Sequence, residues 1–231
     1  MSNLRPWIKL VLAISLDGRI ASPLDDVSHI GSTGDKRFLE EALAWSDATL
    51  MGGNTLRKHK STCLIKSPKL IKKRTKKGLK EQPISIIISK GIDHNLKWPF
   101  FNQPLERWLL KPSNITESKV EPSNKNYGYK HKLNLAETWR ETFQLLRGKG
   151  LYKIVLLGGA ELADSILKED QIDELQLTLC PKILGGEKTW IPTTNQKNLL
   201  ALGKEEAWKL KEALPIEGSE CIMRYLRNRA N

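Results

Sequence analysis

Between Tyr152 and Pro181 the chain passes from an apolar strand pattern through two glycines into a helix pattern, then back to an apolar strand. Ile154 to Leu157, with Tyr152 ahead, suits a strand buried in a parallel sheet. Gly158 and Gly159 follow at once. Leu162, Ile166 and Leu167 then recur at helical spacing before a second apolar stretch, Leu175 to Leu179. The unit reads as βαβ with a glycine hinge in its first turn, where open α/β sheets receive nucleotides. Glycine there lets backbone N–H groups approach a phosphate at a helix N-terminus, whose dipole favours negative charge. A plain tight turn at positive φ would use the same residues, so the pattern constrains the architecture more than the ligand.

The rest of the chain repeats this alternation. Ile8 to Ser15 is strand-like and ends in the turn signal Asp17-Gly18. Ser32 or Thr33 is placed to cap a helix reaching about Trp45, with Phe38, Leu39, Ala42 and Leu43 on one face. Ala48 to Met51 predicts a short buried strand, Gly52-Gly53 a turn, and Asn54-Thr55 a second helix start. Ile84 to Ile88 and Trp108 to Leu110 predict strands, with residues 92–104 and 112–130 as loops. Ala136 to Leu146 predicts an amphipathic helix stopped by Gly148 and Gly150. Residues 206–214 and 220–227 alternate like an antiparallel hairpin. Strands alternating with helices imply an α/β fold with a mostly parallel sheet, here a single domain over residues 1–231.

Charge and cysteine content narrow the function classes. The net charge is +12, but residues 57–80 hold eleven Lys or Arg and no acid, so removing that run leaves +1. The basicity is local, and Pro68 and Gly78 interrupt any long helix through it. The expectation is a basic loop over about 57–82, mobile and flanking the active site, where it steers phosphorylated small molecules. No Phe, Tyr or Trp falls in 57–80 to stack bases, so nucleic acid is not the expected partner. Cys63, Cys180 and Cys221 are far apart and the histidines are scattered, which predicts no metal site and a reducing, cytoplasmic compartment. No apolar run is long enough to span a membrane, and the polar Met1–Pro6 stretch has no signal-peptide pattern.

Three motifs in order then carry a resemblance: Ser15-Leu16-Asp17-Gly18-Arg19-Ile20-Ala21; Ser46 to Arg57 with Met51-Gly52-Gly53-Asn54-Thr55 at its centre; and Leu157-Gly158-Gly159-Ala160-Glu161-Leu162, followed by Ile172-Asp173-Glu174-Leu175 and Pro181 to Gly186. Over roughly residues 7–227 the chain resembles the reductase domain of riboflavin biosynthesis, in the dihydrofolate-reductase-like superfamily. The resemblance implies NADPH-dependent reduction of the ribosyl group of a phosphoribosylaminopyrimidine to ribityl. It also implies that Thr55 contacts the cofactor, that Gly158, Gly159, Ala160, Glu161 and Leu162 cradle its phosphates, and that Ser89 lies beside it. Ala21, His29, Gly52, Gly53 and Arg57 complete the expected cofactor set. Asp17, Gly18 and Arg37 are the expected substrate contacts, and Asp17 is the candidate proton donor. Cations at Arg57, Lys58 and Lys60, with no acid at a ribose position, favour a 2′-phosphate and so NADPH over NADH.

The sequence departs from the family pattern at Lys58-His59-Lys60, where an acidic stretch is usual, and at Leu157, where Glu is common. The substrate is therefore open. Reduction of another pyrimidine or a pterin, and a non-catalytic nucleotide-binding or basic interaction module, stand beside the main reading. The zinc-deaminase signature is absent. A homodimer is expected from the resemblance and from apolar residues on the two late strands.

Overall fold

The computed structural model describes residues 4–23, 30–91, 94–112, 128–192 and 202–229. Its elements form one nine-stranded sheet in the order β5-β4-β3-β2-β6-β1-β7-β9-β8. The strands β1 (Trp7–Ser15), β2 (Ala48–Gly52), β3 (Ile84–Ile88), β4 (Arg107–Lys111), β5 (His131–Asn134), β6 (Lys153–Leu156) and β7 (Glu174–Cys180) run parallel. The antiparallel hairpin β8 (Trp208–Ile216) and β9 (Glu220–Arg227) extends the sheet through a β7–β9 pairing. The α/β class and the late hairpin therefore stand as expected. The strands of the 152–181 unit are not neighbours, however: β1 lies between β6 and β7 and pairs with both.

The described residues hold six α-helices, α1 (Thr33–Trp45), α2 (Gly53–His59), α3 (Pro68–Thr75), α4 (Pro99–Asn102), α5 (Trp139–Gly148) and α6 (Ala160–Lys168); α3 lies against α1 and the others pack on the sheet. Strand alternation sorts the core into two layers. On one face Ile8, Leu10, Leu50, Ile86 and Leu156 pack with Phe143 and Leu146 of α5 and Ile166 and Leu167 of α6. On the other, Val11 and Val155 meet Ala42 of α1, while Met51, Ile87 and Leu109 meet Leu56 of α2 and Phe100 of α4. Helix starts follow capping chemistry. The Ser32 hydroxyl accepts from Gly34 N–H at 3.0 Å, and Thr138 and Glu141 form a reciprocal capping box on α5.

Three elements differ from expectation. β5 was hidden because His131, Lys132 and Asn134 are exposed polar residues on an edge strand, leaving no apolar run to read. α4 is a single Pro-initiated turn in the expected 92–104 loop. The basic run is no plain loop: it holds the end of α2 and all of α3, with Pro68 in the first turn of α3 and Gly78 beyond its end. Pro and Gly mark the bounds of this helix instead of forbidding it.

Candidate active site

The parallel strands β1, β2, β3 and β6 end on the same edge of the sheet, and most of the expected site residues lie just past those ends. After β6, Gly158 and Gly159 take φ of +94° and +85°, the region where an L side chain is strained. Space is tight there as well. A Cβ on Gly158 would lie 3.0 Å from Leu12 Cδ2, and one on Gly159 would lie 3.2 Å from Thr55 Oγ1. The Thr55 hydroxyl of α2 thus sits against the glycine turn that opens α6. No side chain caps α6, whose N-cap is Gly159 itself. Its first N–H groups are left for an anion, with the helix dipole behind them.

After β2, the two glycines have different reasons. A Cβ on Gly53 would meet Ser89 Oγ at 2.8 Å, so Gly53 permits close packing of α2 on the end of β3. Gly52 faces open space. Ser89, buried, accepts from Arg57 Nη2 at 3.3 Å, and Arg57 Nη1 donates to Asn54 Oδ1 at 2.8 Å. Gly52, Gly53, Thr55, Arg57, Ser89, Gly158 and Gly159 are therefore one neighbourhood built from three strand ends. Ala160 and Leu162 are half-buried on the first turn of α6, where Leu162 packs on the core, and Glu161 is exposed. Asn54 escaped the sequence reading; its spacing to Arg57 on one helical turn was the available signal.

Past β1 the chain zips onto the segment after β7. Leu16 N–H donates to Lys182 O at 2.8 Å, Ile20 N–H to Lys188 O at 2.9 Å, and Trp190 N–H to Gly18 O at 3.3 Å. Gly18 turns at φ +74°. Asp17 is the buckle. Its Oδ1 accepts from Ser15 Oγ at 2.5 Å and Leu184 N–H at 3.1 Å, and its Oδ2 accepts from Gly185 N–H at 2.7 Å. The Ser15 hydroxyl, with these backbone donors, lowers the Asp17 carboxyl to about 2. Held ionised in this way near neutral pH, Asp17 ties the turn after β1 to the segment after β7. Sequence gave no hint of its partners, which lie far along the chain. Half-buried Ala21 belongs to the same zipped segment.

The expected substrate contact Arg37 is exposed on α1 with its guanidinium 5.2 Å from the Phe38 ring centroid, and the Arg224 guanidinium lies 5.5 Å from the same ring. His29 lies outside the described residues. Among the described residues no three His, Cys, Asp or Glu side chains converge to hold a metal ion, and Cys63, Cys180 and Cys221 are free thiols. No helix among them is long and apolar enough to cross a membrane.

Comparison with known proteins places this geometry. A 2,5-diamino-6-ribosylamino-4(3H)-pyrimidinone 5′-phosphate reductase from Archaeoglobus fulgidus is 25% identical over 189 residues, 79% of this chain and 84% of that protein. The RibD structure from Acinetobacter baumannii superposes with a TM-score of 0.78 at 18% identity, over 99% of this chain. This chain spans 60% of the length of that RibD. A dihydrofolate reductase from Enterococcus faecalis shares the fold at a TM-score of 0.52 and 13% identity, over 96% of this chain and 97% of its own. The model of the RibD C-terminal domain matches residues 6–216. Nearly the whole described sheet falls within that match, and the chain belongs to the RibD C-terminal domain family.

Proposed function

We propose that this chain is an NADPH-dependent reductase that converts the ribosyl group of a phosphorylated ribosylaminopyrimidine to ribityl. The observation that carries the reading is the cradle at Gly158-Gly159. Two consecutive residues there have positive φ, a Cβ would crowd the Thr55 hydroxyl, and the N-terminus of α6 is uncapped. That donor set fits the pyrophosphate of a dinucleotide. The Archaeoglobus relative is named for reduction of such a phosphorylated pyrimidinone.

Bound NADPH would supply the hydride that reduces C1′ of the opened sugar, with a proton going to the adjacent nitrogen. The chain's own residues bind and orient. Gly158, Gly159 and the first N–H groups of α6 (Ala160, Glu161, Leu162) hold phosphate, with Thr55 beside them. Gly52 leaves room for close approach. Arg57, braced by Asn54 and Ser89, offers a guanidinium for a 2′-phosphate, which favours NADPH over NADH. Asp17 and Gly18 fix the wall that closes the cleft on the β1–β7 side and exclude water from it. No side chain described here is assigned as the proton donor. The proposal includes a cytoplasmic location, in keeping with the three free thiols, and a homodimer.

The test is turnover. Purified protein, NADPH and either 5-amino-6-(5-phosphoribosylamino)uracil or its diaminopyrimidinone counterpart should give stoichiometric NADPH oxidation and a ribityl product by mass spectrometry. Oxidation with dihydrofolate but neither ribosylaminopyrimidine would transfer the reading to pterin reduction.

A further inference from the structure

The basic run was expected to float beside the cleft; the structure fixes it elsewhere. Arg74 of α3 is 2% exposed. Its Nη1 donates to Leu43 O at 3.0 Å, Ala44 O at 3.1 Å and Ser46 O at 2.5 Å, and its Nε donates to Lys80 O at 2.9 Å. One guanidinium thereby caps the C-terminal carbonyls of α1 and closes the turn after α3. The other end is stapled as well. Glu40 Oε2 accepts from Lys66 N–H and Ser67 N–H, both at 2.9 Å. Gln82 exchanges two hydrogen bonds with the Ile65 backbone at 2.9 and 2.8 Å. The helix therefore runs along α1 from its middle to its last turn, toward the edge where β2 begins. The cofactor cradle lies past the opposite ends of the strands. Steering of small phosphates into the cleft does not explain a charge fixed there.

What α3 presents outward is lysine. Lys69, Lys72, Lys73 and Lys76 follow i, i+3, i+4, i+7 spacing and form one stripe, flanked by Lys66 and Lys77. All six are exposed, and none has an ion-pair partner among the described residues. Lys80 and Lys130, by contrast, share Glu106. Like charges at these spacings oppose the helix, yet buried Arg74 holds it in place.

We infer that this face of α3 is a docking surface for the phosphate backbone of double-stranded nucleic acid, bound without sequence preference. Three observations choose that occupant. Lysine stripes without aromatic or exposed arginine anchors lack the residues that carry protein–protein interfaces. No large exposed apolar side chain lies between residues 57 and 82 to anchor the helix in a bilayer. No Phe, Tyr or Trp in 57–80 is present to stack the bases of a single strand. Point charges on a rigid rod match repeated phosphates, which need no such features. This inference does not depend on the reductase reading.

The test uses the full chain and a fluorescent duplex of arbitrary sequence, with binding followed by anisotropy. Binding is expected with Kd between roughly 1 and 100 µM at physiological salt, and log K should fall with log salt at a slope of about −5 for six lysines. The quadruple variant K69E/K72E/K73E/K76E should lose at least tenfold in affinity, and the matching Lys→Arg variant should keep it. Both should retain the parent thermal midpoint and the parent NADPH affinity. Duplex binding that survives the glutamate substitutions in a folded protein would overturn the assignment. So would tighter binding to single strands, to polyglutamate or to phosphatidylserine vesicles than to duplex.

Discussion

Asp17 shows how one residue changes meaning between sequence and structure. In sequence it is an acid in a recognisable motif next to a glycine; in three dimensions its oxygens are occupied by Ser15 Oγ and the Leu184 and Gly185 amides. Asp17→Asn should raise KM for the pyrimidine more than it lowers kcat, without removing a limb from the pH–rate profile. Amide exchange at Leu184 and Gly185 should quicken in the same variant. Loss of a pH limb with unchanged exchange would restore Asp17 as the acid. The linkage has a definite sign. A carboxyl lowered from 3.8 to about 2 stabilises the fold fully above the higher value, and that contribution is lost as pH falls toward the lower one. Asp17→Asn should therefore flatten acid unfolding in that window. At Gly159, alanine should cost about 1–2 kcal/mol of stability for its left-handed φ and should also weaken NADPH binding. Unchanged cofactor affinity in the folded Gly159→Ala protein would remove that turn from the phosphate site.

Elements were legible in proportion to their apolar content. β1, β2, β3, β6 and β7 are near-continuous buried runs, and α1, α5 and α6 carry buried residues at helical spacing, so local pattern sufficed. β5 is polar and takes its structure from pairing with β4, which is non-local. α3 was missed for a related reason. Its key inward residue is an arginine, and arginine is almost never fully buried unless its donors are met. Three carbonyls at the distant end of α1 and the nearby Lys80 carbonyl meet them. Within the site, glycine turns were readable because positive φ leaves few residue choices. The Asp17 clamp and the Gly53–Ser89 contact were not, since both join strand ends far apart in the chain. Arg74→Met should lower unfolding free energy by about 2–4 kcal/mol, because several buried carbonyls lose their donor, as measured by urea titration. A loss under about 0.5 kcal/mol, the range of ordinary surface substitutions, would show that α3 is not anchored as described.

At the scale of the molecule, the parallel sheet gathers the ends of β1, β2, β3 and β6 on one edge and leaves β8 as an outer strand at its far side. Leu210 and Leu214 of β8 are 52% and 37% exposed, on a strand that pairs on one side only, with β9, among the described residues. If that edge forms the proposed homodimer, Leu210→Asp with Leu214→Asp should yield the mass of one chain in sedimentation at micromolar concentration, while the parent sediments as two. A parent that sediments as one chain would reject the dimer. The central claim concerns the middle of the sheet, where the neighbouring strands β2, β6 and β1 end. The most direct measurement is NADPH oxidation with a phosphorylated ribosylaminopyrimidine, scored by product mass. The account predicts ribityl product formed mole for mole with NADPH consumed, and a weaker rate with NADH at low salt. A folded protein that binds NADPH yet leaves every ribosylaminopyrimidine unreduced would contradict it.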